Sequence, residues 1–142
     1  MPINLQIIAG SGLLIFCAVA HLSVAALIVG YLRKYRPLDA KVTTGGFFGL
    51  TSGLFFVFVA AHTVQIYLWA FCFWWLGALE GREAPIYFAL VTYTTVGYGD
   101  VTLSPDFRIF GAMASVTGIL MFGMTTAFLV GFFAKFLDER AV

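Results

Sequence analysis

Thr94-Thr95-Val96-Gly97-Tyr98-Gly99-Asp100 is the stretch that decides how the rest of this 142-residue chain is read. A loop that must aim successive backbone carbonyls at one axis has to alternate between ordinary and left-handed conformations, and glycine adopts the second at little steric cost. Gly97 and Gly99 stand at alternate positions, so Val96 and Tyr98 turn their side chains away from the axis, where packing can fix the radius of the oxygens. Thr95 adds a hydroxyl at the bottom of the ladder. Such oxygens replace the hydration shell of a bare cation without net charge that would trap it, which makes Thr95, Val96, Gly97, Tyr98 and Gly99 candidate ion ligands.

Working outward, the loop lies between apolar stretches. Hydrophobic residues make up 61% of the chain and charged residues 11%, with a mean hydropathy of +0.97. That leaves too little polar surface for a soluble domain and excludes a nucleic-acid-binding role. Charge-free runs extend over Met1–Leu32, Val42–Leu79 and Ile109–Ala134, each longer than the roughly 20 residues that cross a hydrocarbon core. A fourth, Ala84–Gly99, is too short to span and carries the loop. Met1–Gln6 lacks the basic start of a secretory signal, so the first helix is expected to be retained. Cys17 and Cys72 fall inside predicted spans and read as buried, inert thiols.

The run Thr95–Gly99, set between two apolar helices, resembles the selectivity filter of the potassium-channel superfamily. The resemblance covers about Phe47–Phe136 and implies an all-α membrane protein with three transmembrane helices, a re-entrant pore helix and a filter loop, assembled as a homotetramer around a central pore. It implies potassium-selective conduction, with K+ bound in the filter, no other cofactor and no enzymatic activity. Residues 1–44 form an extra transmembrane helix and a basic link, and residues 45–142 the pore domain: outer helix 46–79, pore helix 85–94, filter 95–99 and inner helix 105–136. A prokaryotic inner or plasma membrane is the expected setting.

Arg33, Lys34, Arg36 and Lys41, offset by Asp39, mark the first link as cytoplasmic,. The amino terminus is then outside and the carboxyl terminus, with Lys135 and Arg140, inside. This puts the loop on the outer side, where filters of the superfamily lie. Glu80, Glu83, Asp100 and Asp106 outnumber Arg82 and Arg108 there, and a ring of such charge raises local cation concentration. Trp69, Trp74 and Trp75 read as an aromatic belt at the headgroups.

Glu83-Ala84-Pro85 is a helix start, since proline suits the first turn and an acid complements the dipole. The pore helix should end near the membrane centre, with its carbonyl end facing a cation. Tyr87, Phe88 and Tyr93 have the bulk to support Tyr98, and the Tyr87 hydroxyl is expected to reach Asp100. Thr94 and Val91 complete the support; relatives with a glutamate at the place of Val91 pair it with the filter aspartate, a pairing this chain lacks. Ser104-Pro105 is a second start signal, serine as cap and proline at the first helical position. On the helix that follows, Ile119, Phe122, Thr126 and Val130 share one face, assigned to the pore cavity, and Gly118 stands where the superfamily's inner helix bends.

The glycines Gly45, Gly49 and Gly53, and the small residues Gly123, Ala127 and Gly131, recur at steps of four, which suggests close helix packing. His21 and His62 both fall near mid-membrane, where ionisable side chains are functional candidates. They can form a neutral pair or a proton-sensitive contact between the first helix and the outer helix. The absence of an arginine-rich helix argues against voltage sensing, and Leu137–Val142 leave no room for a regulatory domain. Rival readings are a weakly selective cation channel and a non-conducting membrane scaffold. A membrane enzyme built on the histidines lacks an accompanying nucleophile or metal cluster.

Overall fold

Three long helices and one short one occur among the described residues. The computed structural model describes residues 1–35 and 43–138, with side chains as far as Lys135 in the last helix. Arg36, Asp39, Lys41 and Arg140 of the topology argument lie outside the described residues. Helix α1 spans Ile3–Tyr35, α2 Thr44–Trp75, α3 Glu83–Tyr93 and α4 Arg108–Asp138. The first, second and fourth are long and apolar enough to cross a membrane, and no strand occurs among the described residues. This is the architecture of an all-α membrane protein.

Their ends follow local chemistry. Thr43 caps α2 by accepting the Gly46 amide at 3.2 Å. Glu83 places its acid in the first turn of α3, and Pro85 sits in the same turn, where no intrahelical amide bond is lost,. The start of α4 differs from the sequence reading. Ser104 accepts the Phe107 amide through its backbone carbonyl, residues 105–107 form a turn, and the helix begins at Arg108. The cap comes from a distant residue: Gln6 Oε1 accepts the amides of Ile109 at 3.1 Å and Phe110 at 3.3 Å. The same side chain donates through Nε2 to the carbonyls of Met1 and Pro105. The terminal ammonium also lies 3.3 Å from Asp106.

These contacts settle where α1 sits. It runs parallel to α4 along its whole length, with Gly10 against Met113, His21 against Thr125 and Leu32 against Phe132. A Cβ at Gly10 would meet Met113 Cγ at 2.7 Å, so glycine allows the close approach. The first helix is therefore packed chiefly on the predicted inner helix, and it meets α2 over a smaller area through His21–Phe58 and Leu32–Leu54. Its few polar residues, not its apolar ones, distinguish this face, because lipid tails solvate apolar side chains as well as a helix does.

The largest core cluster joins α2, α3 and α4 through Trp69, Phe73, Ala89, Tyr93, Phe110 and Ala114. Phe73 meets Phe88 and Phe110 edge to face at 5.1 and 5.7 Å, the arrangement that aromatic quadrupoles favour,. Trp69 is fully buried here, so the predicted aromatic belt keeps only Trp74 and Trp75. Among the described residues of one chain, no other helix approaches the Gly45, Gly49 and Gly53 stripe: no atom beyond their own helix backbone and chain neighbours lies within 4 Å of a Cβ built on any of them. The same is true of Gly123 and Gly131. Cys17 is buried, Cys72 is half-buried, and both are free.

Candidate functional site

The loop after α3 hangs from that helix by backbone hydrogen bonds. Thr94 N donates to Leu90 O at 3.1 Å, Thr95 N to Thr92 O at 3.0 Å and Gly97 N to Val91 O at 3.0 Å. The Thr94 hydroxyl also donates to Leu90 O, at 2.7 Å. From α4, Ser115 Oγ donates to Thr92 O at 2.9 Å. The helix's last free carbonyls thus become the mooring of the loop. Val91 contributes its carbonyl rather than a side-chain carboxyl, and its own side chain is buried.

Backbone hand alternates along the loop. Thr95, Gly97 and Gly99 have φ of 62°, 53° and 80°, while Val96, Tyr98 and Asp100 stay outside the positive-φ region. A β-branched residue at positive φ is a true outlier, held there only by its surroundings. Sequence reasoning found the two glycines and missed Thr95, because threonine carries no signal for that conformation. The side chains of Val96 and Tyr98 are 51% and 73% exposed within one chain.

Toward the N-terminal end of α3, Tyr87 donates to Asp100 Oδ2 at 2.6 Å. That hydrogen bond, with smaller contributions from lost hydration and the charge of Asp100, pushes the Tyr87 hydroxyl up to about 12. The same bond, helped by the backbone amides of Asp100 and Val101, holds the Asp100 carboxyl below the ordinary carboxylate range, against some desolvation. Phe88 packs on Phe73, and the Tyr93 ring is fully buried against α2 and α4.

The C-terminal end of α3 presses on α4. A Cβ at Gly118 would overlap the Tyr93 carbonyl oxygen, so close approach of the two helices requires glycine there. Ile119, Phe122, Thr126 and Val130 form an exposed stripe on α4. Phe122 is also stacked on His62, with centroids 4.4 Å apart.

His21 and His62 lie with ring centroids 5.0 Å apart, and they are bridged rather than directly bonded. Thr125 Oγ1 is 2.9 Å from His21 Nε2 and 3.0 Å from His62 Nε2. Tyr93 donates to Gln65 Oε1 at 2.8 Å and lies 3.0 Å from His62 Nδ1. Gln65 Nε2 is 3.1 Å from His21 Nδ1. Sequence reasoning singled out the histidines and missed Gln65 and Thr125. A glutamine within an apolar span was the available signal. Among the described residues, no group of three or more His, Cys, Asp or Glu side chains is placed to hold a metal ion.

A half-membrane helix re-entering between two spanning helices, with a loop of alternating hand moored to its end, is the construction of a pore-forming membrane protein. Comparison with known sequences agrees. Residues 53–135 match the family model described as "Ion channel", more than half of the chain, and the chain belongs to that family. It is a channel and not an enzyme. It is also 43% identical over 58 residues to the Caenorhabditis elegans "Potassium voltage-gated channel protein shk-1". That match covers 40% of this chain and 11% of the relative, so this chain corresponds to a small part of that protein. No solved structure matches it.

Proposed function

We propose that four copies of this chain surround a central axis and conduct K+ selectively through the carbonyl and hydroxyl oxygens of Thr95–Gly99. The observation that carries the reading is the alternation of hand at Thr95, Gly97 and Gly99, together with its mooring on Val91 and Thr92. One chain supplies one loop, and a ring of oxygens around a desolvated ion needs several; a closed symmetric ring is the usual solution. The exposure of Val96 and Tyr98 fits side chains that meet a neighbouring copy. In this arrangement Ile119, Phe122, Thr126 and Val130 line the cavity, Asp100 and Tyr87 brace the outer mouth, and Gly118 sets the closeness of α3 and α4, leaving any bend to occur about it. The amino terminus faces outward, in keeping with Arg33 and Lys34 in the last turn of α1,.

Purified protein in K+-loaded liposomes tests conduction. The expected result is a K+ flux that barium blocks; liposomes that hold the assembled protein and remain tight to K+ would make it a scaffold.

A further inference from the structure

Five buried or half-buried side chains from all four helices close into one hydrogen-bonded ring, and its proton count is determined. Gln65 Nε2 carries only hydrogens toward His21 Nδ1, which must accept. A neutral His21 then donates from Nε2 to Thr125 Oγ1. The Thr125 hydroxyl proton passes on to His62 Nε2. His62 in turn donates from Nδ1 to the Tyr93 oxygen, and Tyr93 donates to Gln65 Oε1, where the circuit closes. Every donor meets one acceptor in a single direction around the ring. Turning the Gln65 amide over reverses all five bonds and exchanges the two histidine tautomers. In either direction both histidines are neutral and their tautomers are opposite.

We infer that His21 of α1 and Thr125 of α4 are positioning residues for the ion-binding loop, acting through this ring on Tyr93, and that a proton taken up by either histidine breaks the circuit. The inference rests on the conducting reading above and adds to it a role for α1. Tyr93 is the last residue of α3 and directly follows Val91 and Thr92, whose carbonyls hold the loop. Its carbonyl abuts Gly118 of α4, and its hydroxyl is held by Gln65 and His62 of α2. An imidazolium donates from both nitrogens, so six hydrogens meet five contacts and one hydroxyl, Thr125 or Tyr93, must accept from both sides and turn its own proton out of the ring,. Nothing nearby offsets its charge. The titratable neighbours are the other histidine, Tyr93 of α3 and Cys17, one turn before His21 on α1. From α4 come only Thr125 and Phe122, and from α2 Gln65 and Phe58. The apolar runs that meet here hold no Asp, Glu, Lys or Arg. A satisfied network of this kind rigidifies its surroundings, and a broken one leaves polar groups stranded. Positioning is therefore present at neutral pH and lost as pH falls.

Nitrogen-15 spectra of the intact protein in bilayers read the ring directly, since the chain has two histidines. At neutral pH one Nδ1–H and one Nε2–H tautomer are expected; two alike, or an imidazolium, overturn the proposal. Function is read on Thr125→Val and Thr125→Ser in liposomes. The valine variant keeps the shape and loses the hydroxyl, so its K+/Na+ permeability ratio should fall roughly tenfold, while serine retains the parental ratio. An assembled Thr125→Val channel with the parental ratio overturns the inference. Should that variant fail to assemble, the parent decides the matter: its ratio should decline in the pH range where imidazolium signals emerge, and a ratio unchanged across that range refutes the coupling. A parent that never discriminates K+ from Na+ defeats the selective reading and not this one, whose tautomers stand and whose Thr125 and pH dependence are then read on total cation flux.

Discussion

The two ends of α3 are held by different physics. At the end that faces outward in the proposed arrangement, one exposed hydrogen bond joins a phenol to a carboxylate, Tyr87 to Asp100. At the inner end Tyr93 is fully buried in a closed circuit of neutral groups and its carbonyl lies against Gly118. An exposed charge-assisted bond is screened by water and ions and responds in a graded way to the outer solution. A buried neutral network is complete or broken, because each stranded donor or acceptor carries its full desolvation cost. The outer end thus responds by degrees, and the inner end all or none.

The strongest way to break this contrast is at Gly118. A Gly118→Ala side chain must displace the Tyr93 carbonyl, and overpacking of this kind costs about 1–3 kcal/mol in each copy. The assembled protein should unfold at a clearly lower temperature in detergent and lose conduction. An unchanged melting point would mean that the inner end yields. Tyr93→Phe comes next. It removes one oxygen and strands His62 Nδ1 and Gln65 Oε1, a loss of about 1–3 kcal/mol, again read in thermal unfolding. A smaller effect is expected at the far end of α1. Gln6→Ala uncaps the Ile109 and Phe110 amides and should cost about 1 kcal/mol, as other lost caps do. Flux should remain close to that of the parent, since no part of the loop is touched.

The smallest change is the one that sharpens the outer end. Asp100 is held below its ordinary range, so the Tyr87–Asp100 bond is present above that range and is lost as pH falls through the depressed value. Tyr87 is raised from 10.0 to about 12, so its side of the bond is intact below its ordinary value and is lost only as pH rises past the higher one. Single-channel activity of the parent should therefore be steady across neutral pH and alter at strongly acid outer pH. Tyr87→Phe should shift that acid response upward, toward the ordinary carboxylate range. Identical acid responses in the two proteins would show that the bond has no part in supporting the mouth.

What the sequence revealed differs between these regions for the same physical reason. Span lengths follow from charge-free runs, and the re-entrant helix from Pro85 and Glu83, because both are local signals. Gly97 and Gly99 announced their conformation, while Thr95 did not, since only the fold imposes a positive φ on a β-branched residue. Tyr87 could be paired with Asp100 because the two lie close in sequence. The ring could not be read, because its members are up to 104 positions apart and no local pattern sets α1 against α4. The amide of Gln6 likewise replaced Ser104 as the cap of α4 through a contact that no local pattern encodes. Trp69 looked like an interfacial anchor, and its burial depends on how α2 meets α3 and α4.

All of this serves the loop between the two ends, and its selectivity is the claim on which the reading stands. Reversal potentials in planar bilayers, with K+ on one side and Na+ on the other, test it most directly. The account requires a reversal potential displaced far toward the K+ equilibrium value in the parent. Equal permeability of the two ions would contradict it and leave a weakly selective cation channel.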